Sequence, residues 1–332
     1  MFTDYWVIAQ LLAQSCALAL LSYASVFGVQ SLRYWVAESD TSLQLQLERQ
    51  NYLMSAIMQV GLWFQVLSLL MFLHTVNEHL PAIVKGAMCA TGTLGINAWG
   101  YPLLALKSIS IFVYVIYLFI NYLDNQEPAY PLTPSKYIWL YPALILAVMD
   151  FYALIQYFSN IKPDLIATCC SVDFTAIDNS PYALGRQGGY LSGVVSIWIG
   201  SFIFLLGIIF FKLLQKNIIW SLLGLLASVC YVASSIYTLK YIFVKHIYGL
   251  PSHLCLFDIF WIKYYNIGYL LFTAYYAVIL GVLGCVTWQI TKSKLSKASL
   301  NFQKNMHLTI LCGLLISFLV PIGYWILRGY TF

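Results

Sequence analysis

Residues 138–158 read IWLYPALILAVMDFYALIQYF, an apolar run broken by a single charge, Asp150. As a helix rising about 1.5 Å per residue it would be about 30 Å long, the thickness of bilayer hydrocarbon. A soluble amphipathic helix shows a polar face, which this stretch lacks, so its natural setting is a membrane. The rest of the chain agrees. Of 332 residues, 61% are hydrophobic and 9% charged, where a soluble domain carries about 25% charged residues. So few charges cannot clothe a globule of this size. Aromatic residues make up 17%, which suits a protein with two wetted interfaces to anchor. A net charge of +5, thinly spread, is no polyanion-binding surface. These figures argue against a soluble enzyme, a disordered regulator and a nucleic-acid binder.

Seven further stretches have the length and composition of a span: 5–32, 54–73, 99–123, 189–213, 218–239, 264–289 and 308–327. The expected fold is therefore all-α, a polytopic bundle of eight transmembrane helices forming one membrane domain. Loops 74–98, 159–188 and 240–263 then share one side. The stretch 125–134, NQEPAYPLTP, is a polar, proline-bearing turn after the third span. The connection 212–217 is so short that the fifth and sixth spans should be antiparallel neighbours. Thr41, with Gln44 three residues on, has the pattern of a capping box and would start the second helix ahead of its apolar part. Cys255, Asp258 and Lys263 read as the first turns of a long seventh helix.

Basic residues set the orientation. The connections after the odd-numbered spans hold Arg33, Arg49, Lys136, Lys212, Lys216, Lys292, Lys294, Lys297 and Lys304. The opposite side holds Lys85, Lys162, Arg186, Lys240, Lys245, Lys263 and Arg328. The first side has the shorter loops and the densest lysine run, so it is assigned to the cytoplasm and both termini are placed outside. No Asn-x-Ser/Thr sequon occurs, which fits a bacterial inner membrane. No P-loop, dinucleotide fingerprint, HExxH or nucleophile elbow is present either.

Placed on this topology, the reactive residues divide unevenly. Cys89, Cys169, Cys170 and Cys255 fall in the outer segments, as do His74, His79, His246 and His253. Cys16, Cys230, Cys285 and Cys312 fall within spans, and His307 is the one inner histidine. An outer thiol meets an oxidising compartment, where disulfides persist. Three readings follow. Cys89 and Cys255 could each bond one member of the Cys169–Cys170 pair and staple the loops. The cluster could instead carry out thiol exchange, with Cys255 attacking and Cys169–Cys170 accepting, and a membrane quinone or an extracytoplasmic thioredoxin-like protein as electron partner. Thiolates and imidazoles could also handle copper or haem, with His74, His79, His246 and His253 as candidate ligands. His74 and His79 are five apart, which does not present both to one ion from a continuous helix.

Cys255 at the start of a helix would have its thiolate favoured by the helix dipole. In that respect the stretch Cys255-Leu-Phe-Asp258 resembles the quinone-linked disulfide oxidoreductases of the DsbB and vitamin K epoxide reductase type. Those place a Cys-x-x-Cys at the outer end of a membrane helix. Here an acid stands in place of the second cysteine, and the likeness covers this one stretch. It implies a quinone as cofactor and thiol exchange as chemistry. The leading expectation is a thiol-redox or respiratory/envelope assembly factor; the non-enzymatic alternative is a membrane subunit of a larger complex, or a transporter, with disulfides for rigidity.

Asp150 needs a partner, since a carboxylate at span centre costs about 2.5–3.5 kcal/mol on insertion scales. Lys107 in the third span lies about 12 Å from the outer end at 1.5 Å per residue, and Asp150 lies as deep in the fourth. Matched depth on antiparallel neighbours predicts a Lys107–Asp150 ion pair, either as structural glue or as a proton relay or substrate-binding element opening toward the outside, with Tyr152 and Gln156 nearby in sequence. Gln10, Gln14, Gln59 and Gln65 read as interhelical hydrogen-bonding residues.

Overall fold

Helix α1 (Tyr5–Tyr34) begins where Asp4 caps it, its carboxylate accepting the Trp6 and Val7 N–H groups. Helix α2 (Ser42–His74) begins likewise at Thr41, whose hydroxyl accepts the Gln44 N–H at 3.3 Å. The capping box is only half made. The Gln44 side chain binds the Val36 N–H and Glu48 instead of reaching back to Thr41. The structure is a computed structural model and describes residues 2, 4–36, 41–161, 188–249, 254–295 and 300–328. Among these residues the regular elements are helices. Eight of them are long and apolar enough to cross a membrane: Tyr5–Tyr34, Ser42–Ala82, Gly100–Asp124, Thr133–Ser159, Ser192–Phe210, Ile218–Tyr248, Ile267–Lys294 and Asn301–Leu327. They follow the order expected from sequence, most of them running a few residues past the apolar core of the span.

After α2 a π turn (Thr75–His79) and a 3-10 turn (Leu80–Ala82) lead to the short α3 (Ala90–Leu94). Next come α4 (Gly100–Asp124), α5 (Thr133–Ser159), α6 (Gly188–Phe210), α7 (Leu213–Lys216) and α8 (Ile218–Thr238). A second π turn (Leu239–Phe243) joins α8 to α9 (Val244–Tyr248), and α10 (Ile267–Thr291) and α11 (Leu300–Arg328) complete the chain. Two compact units result. One comprises Met1–Val76, Leu94–Leu165 and Thr291–Phe302; the other comprises Asn77–Thr93, Ile166–Ile290 and Gln303–Phe332.

In the first unit α1 packs on α2 and α5, and α4 packs on α5 and α2. Each neighbour runs antiparallel to the next, so the four form an up-down-up-down bundle. Its apolar centre is built from Leu21, Met58, Leu62, Tyr114, Tyr117, Leu140, Ala143 and Ala147 among others. In the second unit α6 packs on α8, as the short connection between them required. Helices α10 and α11 approach so closely that a Cβ on Gly313 would stand 2.8 Å from the Ala274 carbonyl oxygen. Small residues let helix backbones meet in this way. The outer surfaces are apolar: Val26, Val60, Ile145, Ile203 and Leu226 are all exposed.

One residue lies elsewhere than the sequence suggested. Lys136, expected in a loop, is fully buried within the first turn of α5, 3.0 Å from Asp124 at the end of α4. Its ammonium donates to Ser55 Oγ at 2.8 Å and Asn121 Oδ1 at 3.4 Å. Asp124 also accepts the Leu132 N–H (2.7 Å) and the Thr133 hydroxyl (2.9 Å). The turn 125–132 is thereby closed by a carboxylate reading its own far end. A charge in an apolar run marks a span interior, whereas a charge beside a polar turn looks solvated, and so this pair was concealed.

Removing one partner of a buried pair strands the other, at a cost of about 3–5 kcal/mol. Asp124→Ala should therefore lower the unfolding midpoint in detergent sharply. The double variant Asp124→Leu/Lys136→Met should recover most of the loss.

Candidate functional site

In the second unit Cys89 and Cys255 face each other, with their Sγ atoms 3.3 Å apart. A disulfide holds its sulfurs about 2.05 Å apart, so the two are in contact without being bonded. Both are buried, at 1% and 5% exposure. Asp258 completes the group, since one of its carboxylate oxygens and the two sulfurs all lie within 4.8 Å of one another. Thr91 Oγ1 is 3.4 Å from Cys255 Sγ.

Each cysteine is positioned from a helix interrupted by a π turn. Asn77, in the turn after α2, accepts the Ala90 N–H on its Oδ1 at 3.3 Å and so holds the segment carrying Cys89. Tyr248, at the end of α9, donates its hydroxyl to the Cys255 carbonyl at 2.6 Å. Gly249 then ends α9 at φ 70°, a conformation that suits glycine. π turns are frequent at functional positions because the extra residue shifts a helix's side-chain register. Asn77 and Tyr248 were not legible as site residues, because nothing in their spacing marks such a turn.

The expectation that Cys255 opens a long seventh helix is corrected. Helix α10 begins only at Ile267. Before it the chain makes two 3-10 turns, Asp258–Phe260 and Ile262–Tyr264, followed by Tyr265 and Asn266 at φ 57° and 54°. Ile259 and Phe260 are folded back onto the first turn of α10, where a Cβ on Gly268 would stand 2.8 and 2.9 Å from their side chains. A continuous helix would carry both away from that contact. Cys255 therefore does not stand at the N-terminus of α10, and Asp258 is the carboxylate grouped with the two sulfurs.

Other sequence candidates fall elsewhere. Among the described residues, no histidine belongs to the Cys89–Cys255–Asp258 group. His74 packs against Trp6 with ring centroids 4.9 Å apart, His79 lies in the first π turn, and His246 is buried in α9. Cys169, Cys170 and His253 lie outside the described residues. Cys285 is buried within α10, while Cys16, Cys230 and Cys312 are exposed on helices.

The first unit holds a separate polar layer. Lys107 and Asp150, matched in depth by sequence, meet with Nζ 2.9 Å from Oδ2. Ser68 Oγ accepts from Lys107 at 2.6 Å and from the Gln14 amide at 2.6 Å. The same amide donates to Asp150 Oδ2 at 2.7 Å. Each of the four helices thus contributes one residue. One turn outward, the Gln10 amide bonds the Thr75 hydroxyl and the Met71 carbonyl. Gln65 is buried on α2, while Gln59 is exposed on the opposite stripe.

Compared with protein-family models, with curated proteins and with solved structures, the chain matches none.

The Tyr248 hydroxyl is buried and its bond to Cys255 is neutral. Tyr248→Phe should therefore cost about 0.5–1.5 kcal/mol, read as a lowered unfolding midpoint. It should also speed maleimide labelling of Cys255 by loosening the segment that shields it.

Proposed function

We propose that the chain is an integral membrane protein, of a bacterial inner membrane, that uses Cys89 and Cys255 as a two-electron thiol couple. The observation that carries this reading is the 3.3 Å contact between two buried sulfurs with a carboxylate beside them. Eight helices of spanning length support the membrane setting, as do their apolar outer surfaces, which would be costly in water. The lysine-rich connections support placing the thiol end outside the cytoplasm.

The chemistry is dithiol oxidation. Asp258 accepts the proton of one thiol, and the resulting thiolate is the nucleophilic form. The Cys89 Sγ–Cys255 Sγ bond forms, and two electrons and two protons pass to a membrane quinone, which leaves as the quinol. Both thiols are lost and one quinone is reduced, so the step balances. A quinone suits this site because a small flat acceptor reaches buried sulfurs more easily than a folded protein surface does. Run in reverse, the Cys89–Cys255 disulfide would take two electrons and two protons from a quinol and return two thiols and a quinone; a reduced extracytoplasmic thioredoxin-like protein could supply the same two electrons and leave as its own disulfide. Cys89 takes the accepting role first considered for Cys169–Cys170, since it stands in contact with Cys255.

A second reading rests on the same three atoms. Two thiolates and a carboxylate within 4.8 Å of one another form a donor set for a borderline or soft ion such as zinc or copper(I). It offers no pair of imidazoles for haem.

Peptide mapping after equilibration in redox buffers tests the first reading. A Cys89–Cys255 disulfide should form reversibly, and a soluble quinone should drive its formation in the purified protein. Asp258→Asn should slow that oxidation by about 10²-fold or more, the usual scale for loss of a general base. If the two thiols stay reduced under every oxidant and the protein instead retains stoichiometric zinc or copper, the metal reading replaces it.

A further inference from the structure

Among the described residues of the first unit are two buried ion pairs, and their hydrogen-bond inventories differ. At the Asp124–Lys136 end every polar group is used. The ammonium has Asp124, Ser55 and Asn121, and the carboxylate has Lys136, Thr133 and the Leu132 N–H. At the Lys107–Asp150 layer only one face of the carboxylate is used. Oδ2 accepts from both Lys107 and Gln14, whereas Oδ1 has no hydrogen-bond partner among the described residues. The same is true of Gln14 Oε1, of Gln10 Oε1 and of both amide atoms of Gln65. These side chains are at most 4% exposed, so bulk water does not serve them.

A buried unsatisfied polar group costs about 1–3 kcal/mol. Repeated over several groups at one end of a bundle, that cost rivals the whole stability of a domain. Of the atoms at this end that lack partners among the described residues, four are acceptors, a carboxylate oxygen and three amide oxygens, against one amide nitrogen and the Tyr114 hydroxyl. A species rich in O–H donors matches them. An anion or a carbonyl compound would bring further acceptors, and a metal cation would sit close to the Lys107 ammonium, itself 2.9 Å from Asp150. Buried water at about three hydrogen bonds per molecule is the usual solution for such a group.

We propose that the Lys107–Asp150 layer is a hydrated proton-exchange site, in which water held by Asp150 Oδ1 and the glutamine amides delivers a proton to that oxygen and removes it. The proton leaves a hydronium, which becomes water, and the carboxylate becomes a carboxylic acid. Protonation at Oδ1 leaves the Oδ2 bonds to Lys107 and Gln14 in place, so both states share one arrangement of heavy atoms. The groups facing Asp150 are few. Helix α4 supplies Lys107 and α1 supplies the neutral Gln14, both bonded to the carboxylate, and α2 supplies the neutral Ser68 that bonds both of them. Gln10 and Thr75 bond each other one turn outward, on α1 and just past α2, Gln65 lies one turn inward on α2, and Tyr114 lies further in on α4. Among the described residues Lys107 is the full charge paired with Asp150, and it balances the carboxylate while that is ionised. The thiol couple plays no part in this site.

Infrared difference spectroscopy on the full chain in lipid nanodiscs, with pH as the variable, tests it. The wild-type protein should show a protonated-carboxyl C=O band that grows as pH falls, moves in D2O and is missing from Asp150→Asn. Gln14→Leu should shift its midpoint by about one pH unit or more, about tenfold in proton affinity. An O–H band of bound water should vanish with Gln65→Leu. The proposal is overturned if the folded wild type shows no such band, or if Asp150→Asn retains it. It is also overturned if sodium or potassium titrates the band at constant pH, which would mark a monovalent-cation site. Should Asp150→Asn fail to fold, Gln65→Leu decides alone. In a dry layer, deleting two unsatisfied atoms raises the unfolding midpoint, and that result would sink the idea. In a hydrated layer the midpoint falls.

Discussion

A charge inside an apolar bundle is tolerated only where its partner stands at the same level, and that constraint organises the first unit. Lys107 and Asp150 meet at one end of α4 and α5, Asp124 and Lys136 at the other. Along an antiparallel pair the two levels lie about 21–25 Å apart at 1.5 Å per residue. The polarity reverses between them, with the lysine on α4 at one end and on α5 at the other. A one-turn slip of α4 against α5 would break both pairs and strand four charges. The pairs therefore fix register, a role that apolar packing of Leu140, Ala143 and Ala147 against Tyr114 and Tyr117 would specify less sharply.

The legible part of this architecture was the part written in periodicity and depth. Eight apolar runs, with a single charge inside each of the third and fourth, were enough to order the helices and to bring Lys107 to Asp150. Lys136 was not legible, because residues beside a polar turn look wet until the turn is seen folded back over them. The Cys255 segment failed for a different reason. Its residues FDIFWIKYYN are bulky on all sides and so compatible with a helix, and what breaks it is packing onto Gly268. That contact is set by tertiary structure and leaves no local mark.

The thiol site shows how irregular backbone places chemistry at the ends of regular helices. Asn77 and Tyr248 reach the two cysteine segments from helices widened by π turns. Neither residue is unusual in composition, and each acts through one hydrogen bond to backbone, so only the folded chain identifies it. The sulfurs themselves could be grouped from topology, since both fell in segments assigned to one face. Their contact could not, because loops 74–98 and 240–263 are far apart in sequence and follow no common period.

Saturation of hydrogen bonds distinguishes the buried polar clusters better than burial does. Asp124–Lys136 and Lys107–Asp150 are both buried, and both pair an amine with a carboxylate at about 3 Å. A cluster with every donor and acceptor matched has nothing left to offer a ligand, and opening it costs several bonds at once. A cluster with its acceptors half used can bind and release donors without disturbing the bonds that hold the helices. The saturated pair closes the turn at 125–132, where a clamp is needed to fold the α4–α5 hairpin. The unsaturated one stands where all four helices contribute a side chain, so its unused acceptors lie at the junction of the bundle while the Oδ2 bonds to Lys107 and Gln14 hold the helices together.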